Sequence, residues 1–171
     1  GSANVTMPGT LKSEGNVSIS SALASFNHNS GTLELAGTSG TKTINLTQTM
    51  NNLSHTGAGT ITSNSTGWTL DGTFTNSAGT ADNVNFSNTY AGLATISGGT
   101  YNAPATGFTD TFNGGLTISG GTFTGGAGAV DVNGALTLSS GTLTAPSGTF
   151  TVSGNWVVSG SPTFTAGTNT V

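Results

Sequence analysis

The sequence predicts an all-β fold: a three-sided parallel β-solenoid with about seven coils of 20–26 residues. Three observations predict it. Short runs of alternating apolar and polar residues are broken by glycine, which is the strand pattern rather than the helix pattern. The second half repeats itself at a shift of 20: Leu116-Thr-Ile-Ser-Gly-Gly-Thr-Phe-Thr124 aligns with Leu136-Thr-Leu-Ser-Ser-Gly-Thr-Leu-Thr144. A third copy, Trp156-Val-Val-Ser-Gly-Ser-Pro-Thr-Phe-Thr165, follows with one extra residue. Lastly, the apolar positions fall into three columns that recur together along the chain.

The first column runs Ile19, Ile44, Leu70, Ile96, Ile118, Leu138 and Val158. The second runs Met50, Phe74, Tyr101, Phe123, Leu143 and Phe164, with Leu23 or Phe26 as its first member. The third runs Leu35, Ile61, Phe86, Phe112, Val132 and Val152, with Leu11 before it and Val171 after it. One coil contributes too few apolar side chains to bury them alone, so successive coils must stack into a continuous core. An antiparallel sandwich is the rival, but a sandwich requires no repeat of constant length.

Three regions follow from the coil lengths. Residues 1–16 read as a lead-in or cap, 17–115 as longer coils with bulging loops, and 116–171 as regular 20-residue coils that stop mid-coil. The loops are expected at 36–43, 62–69 and 87–95. The corner between the first and second columns carries Asp71-Gly-Thr, Ser97-Gly-Gly-Thr, Ser119-Gly-Gly-Thr and Ser139-Ser-Gly-Thr, so it should be tight and fixed.

Composition narrows the function classes. Gly, Thr, Ser and Asn fill 100 of 171 positions, against two lysines, no arginine, six acids and no cysteine. Disordered chains are rich in charge and poor in β-branched and aromatic residues; this one is the reverse. A nucleic-acid footprint needs clustered Lys and Arg, and two lysines do not supply it. Zero cysteines removes disulfides, zinc-thiolate sites and thiol nucleophiles. No apolar run approaches the ~18 residues of a membrane helix, so no membrane insertion is expected.

The titratable side chains are few and scattered. Glu34 and Asp131 read as outward strand residues, and Asp71 opens a tight corner. Asp82 and Asp110 fall in neighbouring coils, where a shared ion or two unrelated turn aspartates are both open. His28 and His55 lie about one coil apart, and two histidines alone are an incomplete metal site. No cofactor, metal or catalytic residue is assigned, and the chain reads as a non-enzyme. A ligand surface, if present, is expected at the bulging edge, with Lys42, Trp68 and Tyr90 as its members. A hydroxyl ladder is expected beside the second column, built from Thr73, Thr75, Thr122, Thr124, Thr142, Thr144, Thr163 and Thr165. That array resembles the surface of β-solenoid ice-binding proteins.

A broader resemblance covers roughly residues 17–171. Gly31-Thr-Leu-Glu-Leu-Ala-Gly-Thr-Ser-Gly-Thr-Lys-Thr-Ile-Asn-Leu46, Met50-Asn-Asn-Leu53 and the later Leu-Thr-Leu-Ser-Ser-Gly-Thr-Leu-Thr units resemble Thr/Gly-rich repeats of secreted bacterial surface proteins. These are autotransporter passengers and filamentous-haemagglutinin-like adhesins. The resemblance implies a right-handed parallel β-helix, an extracellular or cell-surface location and a stalk, fibre or adhesive role without catalysis. An open solenoid end exposes unpaired backbone groups and invites another strand, so the expected partners are a second copy stacked end to end, or a cell-surface glycan or protein. The alternatives are a Thr-array ice binder and a carbohydrate-binding or carbohydrate-cleaving β-helix.

Overall fold

The computed structural model describes residues 4–19 and 25–167. Over them the alternating pattern forms 23 short strands and no helix. Every strand pairing is parallel. The strands gather on three faces of a β-solenoid. Face A holds Thr10–Ser13, Thr32–Leu35, Asn52–His55, Phe74–Asn76, Ala94–Ile96, Leu116–Ile118, Leu136–Leu138 and Trp156–Val158. Face B holds Val17–Ser18, Thr41–Asn45, Thr60–Thr62, Thr80–Asp82, Thr100–Asn102, Thr122–Thr124, Thr142–Thr144 and Thr163–Thr165. Face C holds Thr69–Leu70, Asn88–Tyr90, Thr109–Phe112, Ala129–Val132 and Phe150–Val152, extended by a bridge from Met50 to Leu70. A pair formed by Asn4–Thr6 and Ser25–Asn27 completes the sheets.

Eight strands on each of two faces make eight coils, and at about 4.8 Å per coil the stack is roughly 34 Å long. Register on face A runs Leu11, Leu33, Leu53, Phe74, Ala94, Leu116, Leu136, Trp156, so each coil takes 20–22 residues. The predicted columns hold from the coil containing Ile96 onward, where Ile118 and Leu138 are fully buried and stacked. Upstream they are corrected. Ile44 belongs to face B and Leu70 to face C, while the true predecessors of Ile96 on face A are Asn76, His55 and Leu35. The expected longer coils therefore dissolve into coils of ordinary length. Within the expected loops, residues 41–43, 62, 69, 88–90 and 94–95 belong to strands. The expected lead-in, 1–16, also differs, since Asn4–Thr6 and Thr10–Ser13 are already paired into the stack. Leu23 and Val171 lie outside the described residues.

Glycine makes the corner between faces A and B. Gly79, Gly99, Gly121 and Gly141 adopt φ values of 59–71°, a left-handed conformation that side chains resist. They also stack: a Cβ on Gly121 would lie 2.5 Å from the Gly99 carbonyl oxygen. Each is followed by a threonine whose N–H donates to the glycine carbonyl one coil below, as in Thr100 to Gly79 (2.7 Å) and Thr122 to Gly99 (2.8 Å). The corner thus fixes where the face B strands starting at Thr80, Thr100, Thr122 and Thr142 begin.

Candidate functional site

Face B presents the most regular surface. Strand register places Thr41, Thr60, Thr80, Thr100, Thr122, Thr142 and Thr163 in one unbroken outward column. Two residues along each strand, a second column holds Thr43, Thr62, Asp82, Asn102, Thr124, Thr144 and Thr165. Asn102 donates its amide N–H to Asp82 there (2.8 Å), interrupting the hydroxyls in mid-column. Rungs lie about 4.8 Å apart and the columns about 6.6 Å apart. The other faces are more mixed. The outward column of face A runs Lys12, Glu34, Ser54, Thr75, Thr95, Thr117, Thr137, Val157, and that of face C runs Thr69, Thr89, Thr111, Asp131, Thr151.

Six of the eight predicted ladder threonines fall on face B. Thr73 and Thr75 do not: Thr75 sits on face A between Ser54 and Thr95, and Thr73 precedes it at the corner, bonded to Asn52. The predicted ligand trio is dispersed. Tyr90 is 0% and Trp68 2% exposed, because both take inward parity on face C and pack in the aromatic core. Lys42 occupies an inward register position opposite Ile61, half-buried, with its ammonium donating to the Ser39 carbonyl (2.7 Å).

Glu34, Asp131 and both histidines are engaged locally. Glu34 pairs with Lys12 at 3.0 Å and accepts from Thr56, and these bonds hold its carboxyl below the usual range. Asp131 accepts from Thr151 (2.6 Å). His28 Nδ1 accepts from the Ser30 N–H, so Nε2 carries the proton and faces Asp71 at 3.3 Å. Both ring nitrogens are therefore committed, and His28 does not stack on His55. That second histidine is 1% exposed and bonded to Asn76 (2.7 Å). Among the described residues no group of three His, Asp or Glu could hold a metal.

Asp82 and Asp110 do not share a site. Asp110 lies inward on face C, with 0% exposure, at the end of a buried polar chain. The Tyr101 hydroxyl donates to its Oδ2 (2.6 Å) and the Asn88 amide to its Oδ1 (2.7 Å). Tyr101 has spent its hydrogen, so Tyr90 donates to Tyr101 (2.8 Å). Asn83 and the Trp68 N–H both donate to Asn88 Oδ1, at 2.7 and 2.9 Å. Burial pushes the Asp110 carboxyl up to about 7, against the lowering effect of the Tyr101 and Asn88 hydrogen bonds. Burial likewise raises both tyrosines and lowers His55. The sequence carried a signal for this cluster: Asp110 shares parity with Phe112, which makes it inward rather than a turn residue. Phe86, read as a core member, instead lies off the strands against Phe108, with ring centroids 6.4 Å apart.

Comparison of the chain with family models, curated proteins and solved structures finds no match to any of them.

Proposed function

We propose that this chain is a non-catalytic structural segment of an extracellular solenoid, built to stack end to end with a second copy. The supporting observation is the stack of parallel coils itself, whose last described coil presents an apolar surface that a further coil would cover, whether of a longer chain or of a second copy. Val158, inward by register, is 61% exposed, and Phe150, Val152, Trp156 and Phe164 are only half-buried. One coil earlier, the equivalent Val130, Val132, Leu136, Leu138 and Leu143 are all 0% exposed. Strand edges with apolar inward side chains are a template for another strand. The Thr/Gly repeats resemble those of surface proteins, which supports a scaffold role. Sedimentation velocity tests the reading. Wild type should associate with rising concentration, and Val158→Lys, which places a charge on the stacking surface, should remain monomeric. A wild type that is monomeric up to about 100 μM, with Val158→Lys indistinguishable from it, overturns the assembly reading.

A second reading rests on one specific feature, the unbroken seven-threonine column of face B. A flat hydroxyl grid of constant spacing suits ordered water, so binding to ice is the alternative role. Glycan adhesion has less support, since Trp68 and Tyr90 are buried and cannot stack on sugar rings.

A further inference from the structure

The core of the central coils holds a carboxyl group that the scaffold role does not require. Apolar side chains serve at the equivalent place in the next coils, where Val130 and then Phe150 follow Asp110 in register. We infer that Asp110 is a proton-operated brace of the central coils, tightening them when protonated and loosening them when ionised.

The geometry carries the argument. Asp110 is sealed from water and its oxygens meet only neutral donors, the Tyr101 hydroxyl and the side-chain and backbone N–H groups of Asn88. A buried carboxylate is costly unless a cation or several donors compensate it. No cation does so here. Lys12 pairs with Glu34, Lys42 with the Ser39 carbonyl, His28 with Asp71 and His55 with Asn76. From the strands packed around Asp110, Tyr101 and Asn88 face it directly, Tyr90 stands behind Tyr101, and Val130 is apolar. The nearby acids Asp82 and Asp131 point outward, where they bond Asn102 and Thr151. The network ties three successive coils, from Trp68 through Asn88 and Tyr90 to Tyr101 and Asp110, so its loosening reaches beyond one strand.

The sign follows from linkage. The folded carboxyl titrates near 7 against a free value of 3.8, so the folded state holds a proton that the unfolded chain releases. This stabilisation is complete below about pH 4 and is lost as pH rises through about 7. His55 acts in the opposite sense, so the comparison must cancel it. Thermal unfolding of wild type and Asp110→Asn between pH 4.5 and 8.5 does so, because both retain His55. The difference between their Tm values should fall on the order of 10 °C across the window. Tyr101→Phe removes one donor to the carboxylate, and its loss of stability should shift to higher pH. Parallel wild-type and Asp110→Asn curves overturn the inference. Should Asp110→Asn not fold, a Tyr101→Phe curve that falls at the same pH as wild type overturns it equally.

Discussion

A histidine inside an apolar stack has to be neutral, and His55 meets that condition through Asn76. The Asn76 amide donates to the Gly98 and Thr100 carbonyls (3.2 and 3.1 Å), which leaves its oxygen facing the ring. His55 Nδ1 must then carry the proton and donate (2.7 Å). Burial lowers the His55 pKa from 6.5, with the Asn76 bond opposing it. A group depressed in this way binds more protons unfolded than folded, so its contribution falls away as pH drops below about 6.5. The effect is best read in an Asp110→Asn background, where the opposing titration is gone. There, stability by urea unfolding should decline from pH 7 to pH 5. The same series with His55→Gln should be flat. A decline of equal size in both would move the acid sensitivity to another group.

At the scale of the element, the same pair explains why the sequence was legible in one half and misleading in the other. From Ile96 onward each inward position of face A is apolar, so the columns were visible as columns. Upstream, two core positions on that face are His55 and Asn76, and one on face B is Lys42. A search for apolar periodicity passes over them and links Ile44, Leu70 and Ile96, which lie on three different faces. Loops of eight or nine residues then appear where strands stand. The hydroxyl ladder suffered less, because a Gly-Thr corner marks six of the eight face B strands directly. Its function is testable at the same scale. If face B orders water as ice does, the purified chain should show thermal hysteresis. Thr122→Tyr and Thr142→Tyr keep β propensity but break the flat surface, and should abolish it. Hysteresis that survives both changes would take the activity away from face B, and its absence in wild type would leave the threonines as solvated strand formers.

For the whole molecule, the decisive property is polarity. All pairing is parallel, so the Thr10–Ser13 edge of face A and the Trp156–Val158 edge are different surfaces with complementary hydrogen-bonding groups. Joining one to the other continues the sheet; joining like edges reverses strand direction and misaligns all three faces. A head-to-tail contact of this kind does not close, and it generates filaments rather than dimers. Lys12 and Val157 occupy the first and last outward positions of one column, so a continued stack makes them neighbours across the joint. The chain has no cysteine, which makes the test clean. Lys12→Cys and Val157→Cys, prepared as separate single variants and mixed under mild oxidation, should form the mixed disulfide several-fold faster than either forms its own. Neighbouring outward positions in a continued sheet are within disulfide reach, as parallel rungs are about 4.8 Å apart. Equal rates for the three disulfides would indicate random collision. Preferential Val157→Cys self-coupling would indicate that like ends meet, and the solenoid would then pair as a closed dimer instead of extending as a fibre.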